Sequence, residues 1–301
     1  MAPDPLVYII LVSWNHWDVT SRCLAQLSEL DYANYQIVVV DNGSVDGTPQ
    51  KVEDLYPRIQ VLCNERNLGF AAGCNVGLRH ALEQGADYVW ILNNDTIPPR
   101  DILSRLVAHA ESLPSAGIMT PAAGWVSGVE CEWPTAGVCH RWTQDFVKVH
   151  LDRAPARPPL AVDYVFGTAM FLRRQVLENV GFFDERYFMY YEDMDLCLRA
   201  RRAGFQLFAF PDVRVFHEGE ASTEGQPALR YYYKARSSVL FFRAHTSGLR
   251  VPVVLAYRLG SAVHWTARFA GRKQFGQLRF YWRGLLDGLR FGSVGYAART
   301  L

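Results

Sequence analysis

Four short apolar runs alternate with helix-forming stretches through the first hundred residues, and this alternation constrains the fold more than any other feature. The runs are residues 6–12 (LVYIILV), 37–40 (IVVV), 59–63 (IQVLC) and 88–92 (YVWIL). They lack the polar alternation of a half-exposed strand, so each reads as a strand buried on both faces. Helices are expected at about 18–30 and 70–84, with another opened by Thr48 as N-cap and Pro49 in the first turn. This order predicts an α/β fold with a mostly parallel central sheet and helices on both faces. Ligands on such sheets bind beyond the carboxyl ends of the strands. All four runs end there in polar clusters: Ser13-Trp14-Asn15, Asp41-Asn42-Gly43-Ser44, Asn64-Glu65-Arg66-Asn67 and Asn93-Asn94-Asp95. One polar strand end is ordinary turn chemistry, but four on one rim predict a binding site.

With 301 residues, half of them hydrophobic and 20% charged, the chain has globular rather than disordered composition. Its six cysteines are scattered without a CxxC pair, which argues for free thiols and a reducing compartment and against a zinc site. Cys131 and Cys139 are spaced to meet across a hairpin, although free thiols are expected there too. No basic leader precedes the first apolar run, and no uncharged apolar stretch reaches the 18 residues of a simple transmembrane helix. The expected location is therefore cytoplasmic.

The net charge of +1 conceals an asymmetry. Residues 226–301 hold 13 Lys or Arg against one acid, Asp287, whereas residues 1–225 carry a net charge of −11. This change near Gly225-Gln226-Pro227 predicts a boundary between a catalytic domain (1–225) and a basic helical extension (226–301). Before it, residues 121–160 are rich in Gly, Pro and Trp (Trp125, Trp133, Trp142) and read as an irregular hairpin or flap, a candidate acceptor region. Strand signals return at 162–172. Helices follow at 174–180, stopped by Gly181, and at 192–203, stopped by Gly204, with a last short strand at 213–217.

Six segments in order, SWNHWDVTSRCLAQL, VVVDNGSVDGT, NERNLGFAAGCNVGL, WILNNDT, YYEDMDLCLRARRAG and VFHEGEAS, resemble those of the family-2 glycosyltransferases with the GT-A fold. They cover about residues 6–222, and the likeness is greatest to the bacterial rhamnosyltransferase-like branch, which builds cell-surface polysaccharide. The resemblance implies a Rossmann-like GT-A domain. It also implies a nucleotide-sugar donor (UDP or dTDP), a Mg²⁺ or Mn²⁺ ion and a lipid-linked or glycan acceptor.

Individual residues fit that chemistry. Asp41, at a strand's carboxyl end, can accept the N–H of a uracil or thymine ring or simply cap its own Asn-Gly turn. Asn67 and Gly69 sit at a loop–helix junction where backbone can approach a ligand, and the resemblance places this segment beside the nucleoside. Gly73 and Gly77 share a helical face and are expected to pack on the sheet. Ser13, Asn15, Asn93 and Asn94 complete the candidate donor-binding residues. The family's metal motif is Asp-x-Asp. Here Asn93 replaces the first Asp and Asp95 keeps the last, so one charge is lost that the donor diphosphate can supply. His217, with Ser222 five residues on, stands where several family members place a metal-binding histidine. Lone histidines are also commonly structural.

Glu192, Asp193 and Asp195 open a helix, where acids complement the dipole. The resemblance assigns one carboxylate of this motif as the base that deprotonates the acceptor hydroxyl. Asp193 is the first choice and Glu192 the alternative. Asp195 and Arg199, spaced i, i+4, suit an ion pair. In the extension, Phe275, Leu278, Trp282, Leu285 and Leu289 form an apolar stripe flanked by Arg272, Arg279, Arg283 and Arg290. This pattern predicts docking on an anionic membrane surface, here the inner face of the cell membrane. Residues 251–267, interrupted by Arg258, are expected to lie in the interface without spanning it. No nucleic-acid recognition fold is apparent.

The expected activity is inverting transfer of a sugar, with rhamnose a candidate, in cell-surface glycan synthesis. A sugar-phosphate nucleotidyltransferase would need a Gly-rich basic loop where Ser13-Trp14-Asn15-His16-Trp17 stands. A catalytically silent nucleotide-sugar-binding protein would have no need of Asp95 with Glu192-Asp193.

Overall fold

The computed structural model describes residues 3–125, 132–133, 135–149, 158–217 and 227–290. The first half is the expected alternation: β1 (Val7–Ser13), α1 (Trp17–Leu27), β2 (Tyr35–Asp41), α2 (Thr48–Leu55), β3 (Gln60–Cys63), α3 (Phe70–Glu83) and β4 (Tyr88–Leu92). These strands lie parallel in the order β4-β1-β2-β3, so their carboxyl ends share one rim. The apolar runs of β1, β2 and β4 are buried because the two main core clusters occupy opposite faces, whereas β3, at the sheet's edge, is only half-buried, with Gln60 and Cys63 exposed, contrary to the expectation of a strand buried on both faces. Ile10, Val38 and Val40 point to one, and Ile9, Leu11 and Val39 to the other. Gly73 and Gly77 let α3 lie directly on the sheet, since a Cβ at Gly77 would come within 2.5 Å of the Ile10 side chain.

The helix α2 begins differently from the sequence expectation. Its N-cap is Gly47, and Thr48 is already helical. The Asp46 carboxylate does the capping, accepting the Thr48 N–H at 3.0 Å and hydroxyl at 2.7 Å. Asp46 also accepts the Trp17 N–H, which ties the starts of α1 and α2 together.

Beyond β4 the sheet becomes mixed. The chain adds β5 (Thr96–Ile97), α4 (Ile102–Ser112), β6 (Ala116–Trp125) and β7 (Glu132–Trp133). A small second sheet holds β8 (Ala136–Cys139) and β9 (Phe146–Val149), while β10 (Leu160–Val162) returns to the main one. After β11 (Tyr164–Val165) of the small sheet, β12 (Ala169–Arg173) runs antiparallel between β4 and β6. Then come α5 (Arg174–Val180), α6 (Glu192–Arg202) and β13 (Gln206–His217). β13 is longer than the expected 213–217 strand because it runs through an irregularity between Phe210 and Arg214 along β6. Within the described part of the 121–160 region, β8 and β9 form a hairpin paired to β11, and Trp142 at its turn is half exposed. Cys139 is a free thiol, and Cys131 lies outside the described residues.

Three helices close the chain: α7 (Pro227–His245), α8 (Arg250–Gly271) and α9 (Phe275–Arg290). α7 is built into the catalytic unit, with Leu240, Phe241 and Phe242 in a core with Tyr187, Tyr191, Met194 and Phe146. α9 packs on α7 through Tyr281, Gly284 and Gly288, and a Cβ at Gly284 would come within 2.3 Å of the Tyr232 carbonyl. The expected apolar stripe is therefore divided. Leu278 and Leu285 pack inward, while Phe275, Trp282 and Leu289 face solvent.

Candidate active site

The loops on the carboxyl rim are stitched to one another by side chains. Asn15 donates its N–H to the Ser44 hydroxyl at 2.7 Å, and its Oδ1 accepts the Val45 N–H. Asn15 and His16 both have positive φ, which turns the chain sharply off β1. Ser13 is fully buried, and its hydroxyl meets that of Thr20 at 3.1 Å. Thr20 in turn accepts an N–H from the Asn94 side chain at 2.8 Å, joining the β1 and β4 ends. The sequence reading missed Asn42, the hub of the rim. Its amide donates to Asn67 Oδ1 and the Gly69 carbonyl, and its Oδ1 accepts from Asn64.

Asp41 behaves as a turn cap, its Oδ2 accepting the Gly43 and Ser44 N–H groups at 3.1 and 2.8 Å. Its Oδ1 is buried with no hydrogen-bond donor among the described residues, so the turn leaves one carboxylate oxygen unused. Gly69 makes its close approach to protein rather than offering open backbone. At φ 88°, a Cβ there would sit 2.4 Å from the Phe188 carbonyl, and that carbonyl accepts the Phe70 N–H at 2.7 Å. Asn75, on the same helix, pins Phe183 and Glu185. α3 thus anchors the segment that leads into α6.

That segment is strained. Tyr190 and Tyr191 adopt φ of 68° and 73°, unusual for bulky residues and costing on the order of 1–3 kcal/mol each. α7 holds them there. Ser237 donates to the Met189 carbonyl, Arg236 to the Arg186 carbonyl, and Lys234 Nζ lies 4.9 Å over the Tyr190 ring. Phe146 and Phe241 enclose Tyr191.

The strained turn delivers Glu192 and Asp193, both buried, at the start of α6. Asp193 accepts the Gly167 N–H at 3.0 Å and the Met194 N–H at 2.8 Å. The next residue, Thr168, accepts the Asn93 N–H at 2.9 Å. One hydrogen-bonded turn therefore links Asp193 to the Asn93-Asn94-Asp95 rim. Burial raises the Asp193 carboxyl to about 6, against the pull of those backbone N–H groups. Burial, and then the Asp193 charge beside it, push Glu192 well above the usual carboxylate range. Asp195 forms the expected ion pair with Arg199 at 2.8 Å. It has a second partner that the sequence did not reveal, His245 of α7, at 2.6 Å.

Asp95 is buried at the rim, 6% exposed. The β5–β13 ladder sets the backbone of His217 opposite Thr96, one residue from Asp95. The His217 side chain and Ser222 lie outside the described residues. Among the described residues, no three His, Cys, Asp or Glu side chains converge as a metal cage. A hard cation at this rim would take Asp95 as a carboxylate ligand, with substrate phosphates supplying further oxygens, the usual arrangement for Mg²⁺.

Known proteins share this architecture. Residues 1–349 of TarS from S. aureus, in complex with UDP-GlcNAc, superpose with a TM-score of 0.62 at 18% identity, covering 95% of this chain and 81% of that one. The mannosyltransferase PcManGT of Pyrobaculum calidifontis, in complex with GDP-Man and Mn²⁺, gives 0.57 at 18% identity, with coverages of 96% and 88%. These likenesses establish the GT-A fold. Among curated proteins, the N-acetylglucosaminyl-diphospho-decaprenol L-rhamnosyltransferase of Mycobacterium tuberculosis is 28% identical over 264 residues, covering 80% of this chain and 85% of that protein. The dTDP-rhamnosyl transferase RfbF of Shigella flexneri is 24% identical over 296 residues, with coverages of 94% and 95%. The model of the glycosyl transferase family 2 matches residues 8–181, more than half of the chain and the whole carboxyl rim of the parallel strands, so this protein is a glycosyltransferase of family 2.

Proposed function

We propose that the protein is an inverting rhamnosyltransferase that moves rhamnose from a dTDP-sugar to a hydroxyl of a lipid-linked or polysaccharide acceptor in cell-surface glycan synthesis. The choice of rhamnose and dTDP over a UDP-sugar rests on the relatives' names, RfbF being called a dTDP-rhamnosyl transferase. The observation that carries the mechanism is the buried Glu192–Asp193 pair, joined through Gly167-Thr168 to the donor rim.

With a carboxyl near 6, Asp193 is ionised at neutral pH and suited to take a proton, whereas burial and the Asp193 charge favour the protonated form of Glu192 beside it. Asp193 thus takes the acceptor hydroxyl's proton. The oxygen bonds to the anomeric carbon opposite the nucleotide, the bond to the diphosphate breaks, and configuration inverts. The unused Asp41 Oδ1 accepts the base N–H, and Asn15, Asn67 and Asn94 hold the loops around the nucleoside. Asp95, with His217, would hold the divalent ion, Mg²⁺ or Mn²⁺, which when bound neutralises charge developing on the leaving diphosphate. The basic C-terminal helices hold the enzyme against the anionic inner face of the cell membrane, within reach of a lipid-linked acceptor.

Titration calorimetry with dTDP-rhamnose, UDP-GlcNAc and GDP-mannose, each with and without Mn²⁺, tests the donor. The expected result is metal-dependent binding, tightest for dTDP-rhamnose. Equal or absent binding of all three contradicts the assignment.

A further inference from the structure

The helix α8 is inside-out for a surface helix. Between residues 251 and 267 its only Lys, Arg, Asp or Glu is Arg258, and that residue turns inward. Arg258 donates to the Ser238 hydroxyl at 2.6 Å and stacks on the Phe242 ring. Tyr257 bonds Asp145 in the same direction, and the half-buried Thr266 accepts the Trp282 indole N–H at 3.1 Å, while His264 is exposed. The outward face carries Leu255, Leu259 and Val263, spaced i, i+4, i+8 and 57%, 68% and 69% exposed, with exposed Ala256 and Ala267 beside them. Phe275 and Trp282 of α9 add to this apolar surface.

Cations surround it. Arg250, Arg268, Arg272, Lys273, Arg279 and Arg283 are all exposed. The one acid of residues 226–301, Asp287, is mostly buried and accepts the Tyr232 hydroxyl at 2.9 Å. A second copy of this surface would meet it with like charge. An anionic lipid surface supplies the opposite charge and the apolar phase together. No described helix is long and apolar enough to cross a membrane.

We infer that α8 lies in the plane of an anionic membrane and buries its Leu255–Leu259–Val263 face at the boundary between headgroups and acyl chains. This rests on the membrane attachment proposed above and assigns the element responsible. Because α7 both packs against α8 and clamps the turn before Asp193, insertion would fix the base at a set height above the bilayer.

The test is flotation of the full chain with phosphatidylcholine vesicles, with and without phosphatidylglycerol, at low and high salt. The triple variant Leu255→Ser/Leu259→Ser/Val263→Ser is compared with wild type, after its melting curve shows that it folds. Wild type should float with the anionic vesicles, and the variant should bind roughly tenfold or more weakly while its donor affinity is unchanged. The residual binding of the variant should vanish at high salt. Equal binding of variant and wild type overturns the role of α8 and leaves membrane attachment standing. Failure of wild type to bind either vesicle overturns both. A concentration-dependent dimer that the variant abolishes, without lipid binding, would show the face to be an interface between copies and also overturns the inference.

Discussion

The hydrogen bond between Asp195 and His245 offers a direct test of whether α7 belongs to the catalytic machinery. Both side chains are 4% exposed. Arg202 lies 2.9 Å from Nδ1 of the imidazole, and a guanidinium can only donate. Nδ1 is therefore the acceptor, and Nε2 carries the hydrogen given to Asp195 at 2.6 Å. His245→Ala removes a hydrogen bond to a buried charge, worth about 1.5–3 kcal/mol. It also opens a cavity beside Phe241, whose ring lies 4.7 Å from the imidazole. Arg199 remains on Asp195 and limits the damage, so a loss of about 3 kcal/mol is expected. At about 2.1 cal/mol/K of unfolding entropy per residue, this corresponds to a fall of about 5 °C in Tm. Because Asp195 lies only two residues beyond Asp193 on α6, kcat should fall as well, with donor affinity unchanged. Gln places an amide N–H near Nε2, so His245→Gln should recover much of both losses. Calorimetric melting and steady-state kinetics on the three proteins provide the measurement. If His245→Ala melts within 1 °C or so of wild type and keeps its kcat, the network positions nothing and the reasoning fails.

Other expectations follow from the same geometry. Burial works to raise the Asp195 carboxyl, but His245 and Arg199 overcome it and hold it below its usual value. Its stabilising contribution is therefore fully present above the ordinary carboxylate range and is lost as pH falls through the lower folded value, so acid melts should show the gap between wild type and His245→Ala closing there. With Asp193 near 6, kcat/KM should rise with pH through about 6, and Asp193→Asn should lack that limb. Gly69→Ala puts a methyl against the Phe188 carbonyl at positive φ, and should cost at least about 2 kcal/mol in a denaturant melt while weakening transfer. Asp95→Ala should keep the fold and lose the Mn²⁺-dependent part of donor binding in calorimetry.

The parallel half of the sheet was legible because strands buried on both faces leave continuous apolar runs, as at Ile37 to Val40, and their polar ends mark the rim. The Asp195–Arg199 pair was legible from helical spacing alone. Other features depend on contacts distant in sequence. Asn42 looked like part of a turn, and only the fold sets its amide among Asn64, Asn67 and Gly69. Nothing near His245 signals that it meets a carboxylate 50 residues earlier. The charge change near residue 225 marks surface chemistry and carries no signal of packing, so the contact of α7 with the core around Tyr191 was not legible. The apolar stripe of α9 was read as one face. The small residues Gly284 and Gly288, which carry no hydrophobic signal, decide which side packs.

The central claim is that Asp193 is the base of an inverting transfer, and single-turnover kinetics with Asp193→Asn and Glu192→Gln test it most directly. The reaction would use dTDP-rhamnose, Mn²⁺ and a lipid-linked acceptor, with product configuration read by NMR. The account predicts an inverted product from wild type. It also predicts a loss of roughly 10²-fold or more in the chemical step for Asp193→Asn at unchanged donor affinity, and a smaller loss for Glu192→Gln. Retained configuration in the product, or full activity in Asp193→Asn, would contradict it.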